Sequence, residues 1–328
     1  MNFKTSIVAL IVASATVAAT SAAMAADKRI RLSTAAPASD YLSKACETFK
    51  TELEKAGVDI TVEVYPASSL FRQGTEVPAL QRGNLEMSTM TTFEIAQQIP
   101  SFGFLNRAFL FSSYDQMMGV MGGEVGEALK KAVSEDMDIE ILSTAYLGTR
   151  QLNLREDRPA SKPEDLAGVK MRMPSSPEWL LLGESLGVTP TPLAMPEVYV
   201  ALQTGAIDGQ ENPLTITNAA KFYEVTKQIV LTAHLVQPVF FSIGKPFWSE
   251  LTLEQQAAVS AAAKVAADQN NTGRSTDEGK VLAEMESKGL KINKVDLTPF
   301  KAKADAVYGA SDLAKAWDAD LMAKAMAK

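Results

Sequence analysis

Two nearby segments decide the fold: GVKMRMPSSP at residues 168–177 and ALQTGAIDGQENPL at residues 201–214. Apolar and basic side chains alternate over residues 169–173, which predicts a short strand that prolines then end. The second segment begins as a helix and closes on turn-forming residues, which predicts a rigid loop around Asn212. A guanidinium can hold both oxygens of a carboxylate, and an amide both donates and accepts hydrogen bonds. Arg172 and Asn212 therefore suit a carboxylate ligand, although a surface arginine and a turn-forming asparagine are the alternatives.

The same segments resemble those of a known family. The runs Lys170–Arg172, Ala201–Gly205 and Asp208–Pro213 are similar, in order and spacing, to the signature of the DctP-type solute-binding proteins. These are the periplasmic components of tripartite ATP-independent (TRAP) transporters. The resemblance extends over essentially the whole mature chain. It implies an α/β, two-lobed periplasmic binding protein (Venus-flytrap) fold with a long helix bridging both lobes, in which lobe closure captures the ligand.

The order of predicted elements also favours an α/β fold. Strands and helices alternate over residues 29–90, which predicts a parallel sheet with helices on both faces. Ligands of such sheets bind beyond the carboxyl ends of the strands, here residues 34–36, 68–73 and 91–93. An almost uninterrupted helical pattern over residues 252–287 predicts a helix on the order of 50 Å long, more than one lobe requires.

Other local patterns predict the elements of the second half of the sheet. One helix is expected over residues 114–134. Four separate strands are expected, at residues 138–145, 149–154, 228–232 and 239–243.

The N-terminus has the features of an export signal. Lys4 precedes a mostly apolar run, and Ala23-Met24-Ala25 fits a signal-peptidase site. We therefore predict a signal peptide at residues 1–25, cleavage near Ala25 and a periplasmic location. A membrane anchor is the alternative, but the apolar run is short for a span of roughly 20 residues.

The remaining length is large for a single core, so two lobes are expected. We predict that the chain divides into four parts. They are residues 1–25 as signal peptide, 26–148 plus about 214–251 as the first lobe, 149–213 plus about 252–295 as the second lobe, and 296–328 as C-terminal helices.

Composition narrows the possible partners. The chain has 39 Asp and Glu against 32 Lys and Arg, a formal net charge of −7, which argues against nucleic acid as a partner. Cys46 is the only cysteine and His234 the only histidine, so an intrachain disulfide and a metal site built from several such ligands are excluded. We expect both side chains to be buried, and we expect no cofactor, no metal and a monomer.

One motif points to an enzyme instead. GESLG at residues 183–187 matches the G-x-S-x-G elbow of hydrolases, and Asp208 and His234 follow in the order of a catalytic triad. That elbow requires a strand before the serine, whereas a helix-like run precedes Ser185. We therefore expect no enzymatic activity. The alternatives from other classes are a periplasmic enzyme acting on sugar acids and a ligand-presenting partner of a membrane sensor.

The resemblance implies roles for individual residues. Arg172 matches the arginine that clamps the ligand carboxylate, and Asn212 matches the ligand-contacting amide. Arg150 matches a second arginine near the pocket, with a strand-edge salt bridge as its alternative. The closed form is expected to deliver its ligand to the membrane subunits of a TRAP transporter.

The remaining candidate contacts suggest the ligand class. They are Gln73, Thr91 and Ser175 as hydrogen-bonding groups, Trp179 as a face for a sugar ring or as a core residue, and Met195 where sialic-acid-binding members have phenylalanine. Hydroxyl and amide groups around one arginine favour a hydroxylated monocarboxylate such as a uronate or aldonate. A C4-dicarboxylate or a 2-oxo acid is the alternative, and Arg150 would supply the second cation that favours a dicarboxylate.

Overall fold

A single mixed sheet of nine strands runs through residues 28–327, the part of the chain that the computed structural model describes. The predicted signal peptide lies outside these residues. The strands are β1 (Lys28–Ser33), β2 (Ile60–Tyr65), β3 (Met87–Thr91), β4 (Ile139–Leu154), β5 (Lys170–Met173), β6 (Thr189–Pro192), β7 (Gly209–Pro213), β8 (Gln228–Gly244) and β9 (Lys291–Lys294).

Helices cover both faces of this sheet, as the alternating pattern predicts. They are α1 (Tyr41–Ala56), α2 (Glu76–Gln81), α3 (Thr92–Gln98), α4 (Tyr114–Met121), α5 (Glu124–Met137), α6 (Pro177–Ser185), α7 (Val198–Thr204), α8 (Leu214–Ala219), α9 (Lys245–Trp248), α10 (Leu253–Ser287), α11 (Thr298–Ala310) and α12 (Ala319–Met326). The helix predicted over residues 114–134 is two helices, because the chain breaks at Gly122 and Gly123.

The strand order is β2-β1-β3-β8-β4-β7-β5-β6, with β9 also paired to β8. β1 pairs in parallel with both β2 and β3, which confirms the prediction for the first three strands. Beyond these three strands the sheet is mixed, because β8 runs antiparallel to both β3 and β4. Parallel neighbours need a long crossover, whereas β4 and β8 cross between the lobes in opposite directions.

β4 and β8, the strands that cross between the lobes, are each one continuous strand where the sequence predicts two. β4 is continuous from Ile139 to Leu154, and its pairing with β8 shifts register between Tyr146 and Gly148. Gly148 has φ +126°, and a Cβ there would approach Cβ of Pro213 to 2.4 Å. The glycine thus marks a bulge within a strand, not a break between two strands.

The 208–213 segment also differs from its prediction. Gly209–Pro213 forms strand β7, which lies buried between β4 and β5, so Asn212 is on a strand and not in a loop. Its glycine, asparagine and proline have turn preferences, but pairing with neighbouring strands overrides them.

The fold has two lobes that share the crossing strands. Of the strands β1–β3, β3 pairs with the C-terminal half of β8, and of the strands β5–β7, β7 pairs with the C-terminal half of β4. α10 bridges both lobes as predicted: Val259 and Ala263 pack in one core cluster with Phe49, and Val281 and Met285 pack in another.

We propose that the lobes meet near Gly148 in β4 and Gln237 in β8. The residues Gln228–Val230 pair with Leu152–Leu154, so this boundary places the start of β8 with the second lobe, not with the first as the sequence suggested.

A buried ion pair fixes α10 to α1. Arg274 Nη2 lies 2.5 Å from Oδ1 of Asp40, both side chains are fully buried, and Arg274 Nη1 donates to the hydroxyl of Thr215. Asp40 Oδ1 also caps α1 by accepting from the backbone N–H of Leu42 at 2.9 Å. The pair therefore joins the bridging helix to the first lobe and to α8.

Replacing Arg274 with alanine should strongly destabilise the protein, because Asp40 would keep a buried charge without its partner. The expected loss is about 3–5 kcal/mol in the free energy of unfolding. Chemical denaturation measures it, with Lys264→Ala as the control, since the pair of Lys264 with Asp268 is exposed on the same helix. Equal stabilities of the two variants would contradict the structural role of this pair.

Candidate functional site

A cavity lies between the lobes, at the carboxyl ends of β1 and β3. Seven predicted contacts line it: Gln73, Thr91, Arg150, Arg172, Trp179, Met195 and Asn212. The eighth, Ser175, does not.

Arg172 is a buried cation that faces the cavity. It is 1% exposed, its Nε donates to the backbone oxygen of Leu193 at 2.8 Å, and its Nη2 donates to Oε1 of Gln73 at 2.9 Å. Within residues 28–327 no carboxylate forms an ion pair with it. Burial lowers the pKa of Arg172 to about 9, with further effects from the charges of Glu211 and Arg150. A charge buried without a counter-ion is costly, and an anionic ligand would relieve that cost.

Arg150, the other cavity arginine, is already paired. Its Nε lies 2.5 Å and its Nη2 2.8 Å from the two carboxylate oxygens of Glu211. Nη1 donates to Gln237 at 2.9 Å, and Nη2 also donates to Oδ1 of Asn212 at 2.9 Å. The charge of Arg150 is therefore balanced within the protein, as its structural alternative proposed, although the side chain also lines the cavity.

His234 completes the buried cluster behind Arg150. Its Nε2 lies 3.0 Å from Oε2 of Glu211, and its Nδ1 lies 2.8 Å from the hydroxyl of Thr232. Burial lowers the pKa of His234, which favours a neutral ring that donates from Nε2 and accepts at Nδ1. Burial alone would raise the pKa of Glu211, but Arg150 and His234 reverse this effect and lower it. Glu211 thus stays ionised, and both of its carboxylate oxygens are held by Arg150, with His234 also at Oε2.

Asn212 is held in place by its neighbours on the sheet. Its Oδ1 accepts from Arg150, and its Nδ2 donates to Oε1 of Gln210 at 2.6 Å. The amide of Gln210 in turn donates to Asn153 and Thr217, both at 3.1 Å. This chain of amides fixes the orientation of Asn212 and leaves one N–H of its Nδ2 for a ligand.

Trp179 and Met195 both line the cavity. Trp179 is 1% exposed, and the Arg150 guanidinium lies 4.6 Å from its ring centre, a distance typical of a cation–π contact. Phe93 packs edge-on against the same ring, at 6.2 Å. Trp179 is therefore a core residue that also presents surface to the cavity. The backbone N–H of Met195 donates to Gln73 at 3.0 Å, which places this residue at the cavity edge.

Ser175 lies outside the site because β5 ends at Met173 and the chain turns away into α6. Its side chain is exposed, while Ser176 caps α6 by accepting from the backbone N–H of Trp179 at 3.3 Å. Spacing from Arg172 alone could not reveal this turn.

The residues of the hydrolase-like motif are not assembled as a triad. Ser185 is the last residue of α6, and its hydroxyl donates to the backbone oxygen of Leu182 at 2.7 Å. His234 contacts Glu211 and Thr232 instead. The order of Ser185, Asp208 and His234 along the chain therefore matches that of a catalytic triad only by coincidence.

Two acidic cavity residues are not among the contacts predicted from the sequence. Glu76 and Glu94 are 4% and 7% exposed and both line the cavity. Burial raises the pKa of both carboxyl groups, and the neighbouring Glu76 raises that of Glu94 further. Glu94 also belongs to a capping box, since Oε2 accepts from the backbone N–H of Thr91 at 2.6 Å. The T-x-x-E pattern could have located Glu94 at a helix start, but no pattern indicated that it faces a ligand.

Residues 32–312 match the model of the bacterial extracellular solute-binding proteins, family 7 (DctP). The chain belongs to the DctP family. This confirms the resemblance that the sequence motifs carry, and the proteins that this chain resembles are solute-binding proteins of transporters, not enzymes.

Three similar DctP-family proteins show how far the likeness extends. A solute-binding protein of Roseobacter denitrificans is 33% identical over 88% of this chain and 89% of its own length. A TRAP periplasmic solute-binding protein of the same organism, solved with bound 3-deoxy-D-manno-oct-2-ulosonic acid, is 35% identical and has a TM-score of 0.88, covering 92% of this chain and 99% of its own. One from Sulfitobacter, solved with bound β-D-galacturonate, is 28% identical with a TM-score of 0.84, over 91% and 98% of the two chains.

No helix within residues 28–327 has both the length and the apolar character needed to cross a bilayer.

The raised pKa of Glu94 predicts a pH dependence of stability. The folded state keeps a proton that the unfolded state releases above about pH 4.3, so stability should fall as the pH rises through the neutral range. Glu94→Gln should remove part of this fall, on the order of 1–3 kcal/mol, while Gln still completes the capping box. Thermal unfolding of the ligand-free protein at about pH 5 and about pH 8 measures the difference.

The matched control is Glu254→Gln, because Glu254 is exposed. The opposite contribution from the lowered pKa of His234 is present in all three proteins and cancels in the comparison. If Glu94→Gln keeps the full pH dependence of the unaltered protein, Glu94 does not hold its proton in the neutral range.

Proposed function

We propose that this protein is the periplasmic solute-binding component of a TRAP transporter and that it binds a sugar acid, with the ligand carboxylate on Arg172. The observation that carries the proposal is the buried guanidinium of Arg172, which lines the cavity and has no counter-ion within residues 28–327. A carboxylate matches the planar fork of an arginine and balances its charge.

The other lining groups favour a hydroxylated ligand. Beside the carboxylate site the cavity presents hydroxyl and amide side chains, from Thr34, Thr89, Thr91, Gln73, Asn212 and Gln237. These groups pair with sugar hydroxyls, while the ring of Trp179 offers an apolar face. The similar proteins solved with an ulosonic acid and with galacturonate support the same class. A uronate or aldonate is therefore our best assignment.

The charge balance of the cavity argues against a C4-dicarboxylate clamped by two arginines. Such a ligand needs a second free cation, and the Arg150 charge is already neutralised by Glu211 at 2.5 Å. Arg150 then acts mainly by fixing Asn212 and by stacking on Trp179.

Contacts across the cleft support capture by lobe closure. Gln73 of the first lobe accepts from Arg172 of the second, and Arg72 pairs with Glu197 at 2.8 Å. A ligand that also bridges the lobes would shift the population toward this closed arrangement. We propose that the closed form then docks on the membrane subunits, after residues 1–25 have directed export to the periplasm and have been removed near Ala25.

Arg172→Ala should abolish ligand binding without harming the fold. Losing a buried charged contact costs about 2–5 kcal/mol, which is roughly 30- to 4,000-fold in Kd. The melting temperature of the ligand-free variant should stay the same or rise, because a buried unpaired charge is removed. Arg172→Lys should give an intermediate Kd, since lysine keeps the charge but not the fork.

A thermal-shift screen of the mature protein with uronates, aldonates, C4-dicarboxylates and 2-oxo acids identifies the ligand, and calorimetry of each variant then gives its Kd. Arg29→Ala is the control, since Arg29 is exposed and pairs with Glu63 at 3.6 Å. Full affinity in Arg172→Ala would refute the carboxylate clamp. A shift with dicarboxylates alone would make Arg150 a second clamp.

A further inference from the structure

The cavity has a second charged side, opposite in character to Arg172. Glu76 is the first residue of α2 and Glu94 the third residue of α3, so the first lobe supplies both carboxyl groups. Both are more than nine-tenths buried, and both line the same cavity as Arg172. Across residues 28–327, neither forms an ion pair with a lysine, arginine or histidine.

Each carboxyl group uses one oxygen within the protein and keeps the other free. Oε2 of Glu76 accepts from the backbone N–H of Gly74 at 2.8 Å. Oε2 of Glu94 accepts from the backbone N–H and the hydroxyl of Thr91, at 2.6 and 3.2 Å. In the part of the chain that is described, these hydrogen bonds all end on Oε2, and neither Oε1 is among the buried polar atoms that lack a partner. These two oxygens are available to a bound molecule.

We propose that Glu76 and Glu94 determine specificity by binding hydroxyl groups of the ligand and by excluding ligands that carry a second carboxylate. The inference rests on the proposed function, because it assigns the end of a sugar acid that Arg172 does not hold. It names the substrate class more narrowly, as hydroxylated monocarboxylates.

The chemistry of two neighbouring buried carboxyl groups explains both effects. Two such groups resist double ionisation, and burial raises the pKa of each. A pair that retains a proton presents one donor and several acceptors, which matches hydroxyl groups that both donate and accept. A second ligand carboxylate would meet like charge in a site of low dielectric, where repulsion is strong.

The arrangement also orients the ligand. Arg172 and Asn212 come from the second lobe, whereas Glu76 and Glu94 come from the first. A sugar acid that satisfies both sides therefore has its carboxylate toward the second lobe and its hydroxyl end toward the first. A ligand that lacks either end leaves one lobe without its contact.

The test compares monoacids with diacids of the same carbon skeleton. Galacturonate, galactonate and galactarate, and the corresponding gluco compounds, are titrated calorimetrically into the unaltered protein, Glu76→Gln, Glu94→Gln and the double variant. We expect the monoacid that binds best to bind at least about tenfold more tightly than its aldarate. In the double variant this ratio should fall to within about threefold, chiefly because the aldarate binds better.

The controls separate this proposal from the proposed function. Glu254→Gln should keep the full ratio, and melting curves check that each variant is folded; either single variant serves if the double variant does not fold. Equal affinity for monoacid and aldarate in the unaltered protein, or an unchanged ratio in the folded Gln variants, overturns the assignment to Glu76 and Glu94. In either case, monoacid binding that Arg172→Ala abolishes would leave the proposed function standing. If no sugar acid binds the unaltered protein, both proposals are wrong.

Discussion

The site depends on one electrostatic constraint, the buried guanidinium of Arg172, which forms no ion pair with any carboxylate of residues 28–327. Buried charges are normally paired, since desolvation is otherwise uncompensated. The nearest candidate, Glu211, is unavailable because Arg150 and His234 hold its carboxylate at 2.5 and 3.0 Å. The charge of Arg150, behind the cavity wall, is thus balanced by Glu211, whereas the charge of Arg172, in the cavity, is not balanced by a residue of the described chain. We propose that affinity for an organic acid follows from this imbalance, because the ligand would supply the missing partner.

The sheet explains how these groups meet. β4 carries Arg150, β7 carries Asn212 and β8 carries Gln237, so three adjacent strands form one rigid wall. The two crossing strands also connect the lobes, and β4 has a bulge next to Gly148 at the level of the cavity. Bending at a bulge changes strand direction at little cost to the rest of the ladder. The same strands can therefore position the ligand and let the cleft open.

An element of this fold could be predicted from the sequence where the pattern that specifies it is local, and could not where contacts with distant residues decide it. Arg172 and its strand were predictable because alternation and a terminal proline are local, and α10 because its pattern is long. β7 was not, since Gly209–Pro213 has the composition of a turn and becomes a strand only through pairing with β4 and β5. Ser175 was misplaced because a turn after β5 decides the direction of its side chain.

Glu76 and Glu94 look in the sequence like ordinary acidic residues in a first helical turn, where such residues stabilise exposed helices. Both residues are buried at the cavity between the lobes, a position that no local pattern encodes.

The two sides of the cavity bear on stability as well as on recognition. Arg172 and the carboxyl pair each lower the stability of the ligand-free protein, because each desolvates a polar group that the protein does not fully satisfy. They lie on different lobes, so relieving both costs requires one molecule that spans the cleft. A simple short-chain acid would balance Arg172 yet make no contact with the first lobe, and would gain little from closure. On the proposed assignment, a hydroxylated monocarboxylate would satisfy both lobes at once and would make all its contacts only in the closed arrangement. Specificity and closure then have the same physical origin, the separation of opposite unsatisfied groups across the cleft.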